Sequence, residues 1–249
     1  NRTEFEFLTG VALDNYPSHV FPYFSLVTKR LDSYPNYFKQ HGYQTSAIHP
    51  HKPEFWNRAT VYELMAIDEF MAIDQFRGGQ RDGWYISDRE IFPKILSVLE
   101  RPKPQFSFGI TMENHGPWGK RKNLNEDEVS AIEKLPGLTD GAQRQWQEYV
   151  YHMKHSERLV LDVVDLLENT SEPTILLAFG DHLPALPLVF SEVSIKNGLP
   201  PERQLTPYLI FDNFTDQVAG RMDASTDLIM SEVVARTGLP PRMFDRVQR

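Results

Sequence analysis

The 249-residue sequence contains no cysteine, which removes disulfides, thiolate metal ligands and a thiol nucleophile together. Its chemistry has to run on imidazoles, carboxylates, hydroxyls or a hard cation. Basic residues are in the minority, 26 Lys+Arg against 34 Asp+Glu, for a formal charge of -8. Without clustered positive charge there is no footprint for a phosphate backbone, and nucleic acid is excluded as a partner. Long apolar runs are also missing. One of the longest, residues 175–179, falls far short of the roughly 20 residues that cross a bilayer, and the mean hydropathy is -0.43. There is no internal repeat, no low-complexity tract and no leader-like opening. Asn1-Arg2-Thr3-Glu4 is polar, so the sequence reads as if cut from something longer.

What is present suits a large core: 41% apolar and 12% aromatic residues in a length that fits one α/β domain, taken here as residues 1–249. Prolines fall at segment borders, where they stop helices or start turns. The pattern predicts helices over 6–11, 34–41 (stopped by Gly42), 56–65, 88–100, 145–169 and 227–237, and strands over 44–48, 106–111 and 206–211. Residues 174–179 form a continuous apolar run, the signature of a central parallel strand covered on both faces. Residues 120–141 are too charged for a core and read as a surface excursion. Alternating helix and strand give an α/β fold.

In open α/β sheets ligands bind beyond the carboxyl ends of the strands, and three strand ends here deliver histidine. Ile48 leads into His49, Ile110-Thr111 into Asn114-His115-Gly116, and Phe179-Gly180 into Asp181-His182. A carboxylate oxygen beside an imidazole nitrogen makes Asp181-His182 a candidate metal pair, suited to manganese or zinc rather than calcium. Trp56 and Arg58 lie seven and nine residues beyond His49. A guanidinium fork beside an indole suits a phosphate ester of a small polyol. His19, His41, His152 and His155 have no such placement and read as structural or surface residues.

These pieces resemble a family: the sulfatase-like branch of the alkaline phosphatase superfamily, and within it the lipoteichoic acid synthases and related phosphoglycerol transferases. The resemblance rests on residues 4–10, on His49 with Phe55-Trp56-Asn57-Arg58, on Asn114-His115-Gly116-Pro117, on Gly180-Asp181-His182-Leu183-Pro184 and on residues 206–211. The Gly-Asp-His element is shared across the superfamily, whereas His49 followed by Phe-Trp-Asn-Arg marks this branch.

The resemblance implies a three-layer α/β/α sandwich around a mostly parallel sheet. It implies one divalent cation held by Asp181 and His182, usually manganese, with magnesium or zinc as alternatives. His49, Trp56, Arg58 and His115 would line a glycerol phosphate pocket, and His115 is also the candidate for proton transfer. The implied reaction passes a phosphoglycerol group from a phosphatidylglycerol-like lipid donor, through a phospho-threonine, to a polyol or glycan acceptor or to water. The family threonine lies about four residues before the Glu-Phe pair. It would therefore precede Asn1, as would a further acidic ligand, the first strands and a membrane tether on an extracytoplasmic protein. Thr3 has the wrong spacing for the nucleophile. A sulfatase or phosphonate-ester hydrolase of the same superfamily, and a glycerophosphate-binding fragment without catalysis, are the competing expectations.

Overall fold

Proline and short side-chain caps set where the helices begin. In the computed structural model, which describes residues 1–196, 198, 204–216 and 220–243, Ser33 accepts from the Asn36 amide and Pro35 sits in the first turn of a helix, where a missing N–H costs nothing. In chain order the helices are α1 (Arg2–Thr9), α2 (Pro22–Ser25), α3 (Tyr34–Gln40), α4 (Arg58–Leu64), α5 (Phe92–Leu99), α6 (Glu126–Ser130), α7 (Asp140–Glu168), α8 (Pro187–Glu192) and α9 (Thr226–Arg236). The strands are β1 (Gln44–Ile48), β2 (Glu69–Met71), β3 (Arg81–Asp82), β4 (Tyr85–Ile86), β5 (Gln105–Gly109), β6 (Ile175–Phe179) and β7 (Tyr208–Asp212).

β1 lies at the centre of a parallel sheet, order β2-β1-β5, with Ile48 opposite Met71 on one side and Gly109 on the other. Side chains alternate across the sheet. Ala47 of β1 and Phe108 of β5 join a core with Phe7 and Leu8 of α1, Phe38 of α3, Tyr62 of α4 and Val234 of α9. Ile48 points the other way, into a second core with Val98 of α5 and Leu159, Val163 and Leu167 of α7. Helices on both faces of a parallel sheet make the three-layer α/β/α architecture that the resemblance implies.

β6 departs from the expectation of a central parallel strand. It pairs antiparallel with β7, Leu177 opposite Ile210, in a separate two-stranded sheet. Its residues do pack alternately into the two cores, Leu177 and Phe179 into the first and Leu176 into the second, so the run reported cover on both faces correctly but not strand direction. Phe7 bridges the two sheets, with its ring 5.5 Å from Phe108 and 4.6 Å from Phe179.

Two further expectations need correction. The 120–141 segment is not purely superficial: Arg121, Val129 and Ile132 are buried, and the last two pack on Tyr151 of α7. The long helix begins earlier than its apolar stripe, at Asp140, because Thr139 caps it by accepting from the Ala142 amide. Among the described residues no helix is long and apolar enough to cross a membrane.

Candidate active site

His49 follows the last residue of β1 and is 1% exposed. Its amide donates to the Met71 carbonyl, and its ring Nδ1 lies 3.1 Å from the Ile110 carbonyl. That contact assigns the proton to Nδ1 and leaves Nε2 as a bare acceptor, which is buried without a partner. Burial, and next to it the positive charge of Arg58, push the ring down to about 3. His49 is therefore neutral at pH 7. Burial and Arg58 also lower His51, whose ring stacks 5.7 Å from that of His49.

The Phe55–Asn57 turn is built against backbone preference. Trp56 and Asn57 sit consecutively at φ 58° and 59°, a left-handed region that costs a non-glycine residue of order 1 kcal/mol or more. Asn57 donates to the Tyr23 carbonyl at 3.1 Å, and the Trp56 ring packs against Phe21, Phe24 and Phe55 at 5.1, 6.0 and 5.5 Å. The indole is thus fixed by aromatic neighbours before any ligand arrives.

Arg58 does not present the free fork that the sequence suggests. Its Nε and Nη2 edge already grips Glu4, at 3.1 and 2.9 Å, and the Tyr62 hydroxyl donates to the same carboxylate. Only Nη1 remains, 3.4 Å from the Phe55 carbonyl. Both charges are buried, with side chains 7% exposed each, so Arg58 is a charge-balanced buried cation.

His115 is held both by its ring, whose Nδ1 lies 2.9 Å from the Gly116 carbonyl, and by its backbone. Arg121 donates to the Glu113 carbonyl at 2.7 Å and to the His115 carbonyl, Tyr85 donates to Gly116 at 3.2 Å, and the Gly116-Pro117 bond is cis. The ring stands 6.4 Å from that of His182. Asp181 and His182 are exposed, and His182 Nε2 lies 3.4 Å from Asp181 Oδ2. Two ligands at 2.0–2.2 Å from a tetrahedral ion are separated by about 3.4 Å, so the pair already spans one edge of a coordination shell. His182 Nδ1 lies 2.9 Å from the Leu183 carbonyl, the outer contact that leaves Nε2 free to ligate. The residues fit a divalent cation. Thr3 is spent on the loop, its hydroxyl donating to the Asp181 carbonyl at 2.7 Å. An open cleft of about 470 Å³ lies alongside, lined by Asp181, His182, Leu183, Pro184, Phe190, Gln204 and Thr206.

The sequence reading missed two groups. Glu4 is the counter-ion of Arg58, and nothing local signals a partner 54 positions away. His152 and His155, read as structural or surface residues, instead reach Glu113 from α7, with His152 fully buried. Burial would raise Glu113, but hydrogen bonds from both imidazoles and from the Asp88 amide bring it to about 2. Asp88, buried beside Glu113, is pushed up to about 7. The i, i+3 spacing of the two histidines on a helix was the available signal.

Comparison with known proteins gives a consistent picture. The Sulfatase family model matches residues 1–239. The capsular polysaccharide biosynthesis protein RkpI of Rhizobium meliloti is 28% identical over 192 residues, 74% of this chain and 32% of that protein. The lipoteichoic acid synthase-like YvgJ of Bacillus subtilis is 26% identical over 149 residues, 58% of this chain and 23% of that one. The phosphoglycerol transferase GacH of Streptococcus pyogenes, solved in complex with sn-glycerol-1-phosphate, superposes with a TM-score of 0.75 at 22% identity, covering 94% of this chain and 60% of GacH. The chain spans about a third or less of the length of the curated relatives it matches.

Proposed function

We propose that this chain, which belongs to the Sulfatase family on the lipoteichoic acid synthase branch of the sulfatase-like alkaline phosphatase superfamily, forms the pocket of an extracytoplasmic enzyme that transfers a phosphoglycerol group. The donor is a phosphatidylglycerol-like lipid and the acceptor a polyol or glycan hydroxyl, with water as acceptor in a hydrolytic variant. The observation that carries this reading is the Asp181–His182 edge of 3.4 Å with the His115 ring 6.4 Å from that of His182.

Asp181 Oδ2 and His182 Nε2 would hold the cation, manganese first, which when bound neutralises phosphoryl charge and lowers the pKa of a coordinated hydroxyl. The remaining work belongs to side chains. His49, neutral and with Nε2 as its only free ring atom, accepts a hydrogen bond from a glycerol hydroxyl. Trp56 packs on the glycerol carbons. Arg58, with one edge held by Glu4, contributes fixed positive charge. His115 lies beside the metal pair and moves a proton at the attacking or leaving oxygen.

Titration of manganese into the wild-type protein and into Asp181→Ala tests the assignment by calorimetry. The variant is expected to lose the binding event. An unchanged stoichiometry would remove Asp181 from the metal site.

A further inference from the structure

Behind the His115 loop, away from Asp181 and His182 in the chain, the described residues bring a second set of metal-type donors together. Glu113 Oε1 receives His152 Nδ1 at 2.8 Å and also His155 Nδ1, and Asp82 Oδ2 lies 3.5 Å from the same His155 nitrogen. The Glu113, His152 and His155 donor atoms all lie within 4.8 Å of one another. The four donors come from three places: Glu113 from the loop after β5, Asp82 from β3, and the two histidines from α7.

The charge around this point is unbalanced. Asp82, Asp88 and Glu113 are all buried, and among the described residues the buried permanent cation beside them, Arg121, spends its donors on the carbonyls of Glu113, His115 and Pro117. With Asp88 pushed up to about 7, Asp82 and Glu113 leave about one negative charge beyond that of Arg121. Buried charges are paired or bind metals, so one more positive charge is needed here. His155, raised by its hydrogen bond to Glu113, supplies it as an imidazolium when no metal is bound, and a divalent cation in its place leaves both imidazoles, whose rings stand 6.0 Å apart, neutral. His152 also keeps a buried ring nitrogen, Nε2, without a partner, so hydrogen bonds alone do not satisfy the cluster.

We propose that Glu113, His152 and His155, with Asp82 as a fourth donor, form a buried divalent-cation site separate from Asp181 and His182. Two imidazoles and one or two carboxylates form a tetrahedral, borderline-soft set that favours zinc over magnesium or calcium. Its role is structural: the ion ties the loop that carries His115 to α7 and to β3.

The test uses zinc alone. The full chain is stripped with a chelator, reloaded with zinc, desalted and analysed for metal content, in wild type, Asp181→Ala and Asp181→Ala/His155→Gln. One equivalent is expected to stay with Asp181→Ala and to be lost from the double variant. Zinc-edge anomalous scattering from wild-type crystals locates the ion without any substitution, and so decides the matter if the double variant fails to fold. A peak bonded to Glu113, His152 and His155 supports the site. Loss of all zinc in Asp181→Ala, or peaks confined to Asp181 and His182, would overturn it and leave a hydrogen-bonded hub.

Discussion

Glu4 and Arg58 form a buried ion pair. Two charges taken out of water are tolerable only together. Removing one partner leaves the other buried and unpaired, at about 3–5 kcal/mol. Arg58→Ala is therefore expected to lower the folding stability by about that amount, read as the urea midpoint shift at constant slope. A midpoint within error of wild type would mean the pair is open to solvent. The sequence singles out Arg58 through its spacing from His49 and its neighbour Trp56, as a free guanidinium fork. In the structure most of that fork is held by Glu4, and a counter-ion 54 residues earlier leaves no local mark. His49 makes a milder case. A neutral hydrogen bond contributes roughly 0.5–1.5 kcal/mol, so His49→Ala should weaken glycerol phosphate binding by about two- to twelvefold in a titration. Undiminished affinity would take its Nε2 out of the pocket.

At the scale of elements, α1 and α9 hold the first core against the sheets. α1 stops at Thr9 because Gly10 takes φ 73° and its amide bonds the Glu6 carbonyl, a left-handed cap that a side chain strains. A Cβ there would also stand 3.4 Å from the Tyr34 hydroxyl. Gly10→Ala is expected to cost about 1–2 kcal/mol, visible as a lowered thermal midpoint; an unchanged midpoint would mean that the helix end repacks freely.

α9 is tied to β7 by Arg236, which donates to Asp212 at 2.9 Å, while Thr215 donates to the same carboxylate at 2.6 Å. Burial would raise Asp212, but these hydrogen bonds hold it below the ordinary range. Since the folded value lies below the unfolded one, the stabilisation is present above about pH 4 and is lost as pH falls through the folded value. Asp212→Asn should therefore lower stability at pH 7 and differ progressively less from wild type below pH 4. A constant difference across that range would contradict the ion pair. The longer helices were legible, whereas the short α2, α6 and α8 and the helix ends were not: α1 begins at Arg2, four residues before the expected start at Glu6.

Across the whole molecule, the main helices, β1, β5, β6 and β7, the two-faced core and the placing of His49, His115 and His182 after strands could be read from hydrophobic period and chain order, whereas the short β2, β3 and β4 left no such pattern. Strand direction could not be read either. An apolar run reports cover on both faces, which β6 has, and is silent on whether its neighbour runs parallel or antiparallel. The division into separate sheets has a measurable consequence. β1 is bonded on both sides and β6 on one, and every β6 residue is only half-buried, so β1 amides should exchange with deuterium more slowly than β6 amides. Equal or greater protection of β6 would mean that it gains a second strand neighbour in solution.

The central claim is that Asp181 and His182 hold a cation in front of a glycerol phosphate pocket made by His49, Trp56, Arg58 and His115. A crystal soaked with manganese and glycerol phosphate tests it most directly. Anomalous density bonded to Asp181 Oδ2 and His182 Nε2, with the glycerol against His49 and Trp56, is the predicted result. Manganese absent from that pair, with glycerol phosphate bound elsewhere or not at all, would contradict it.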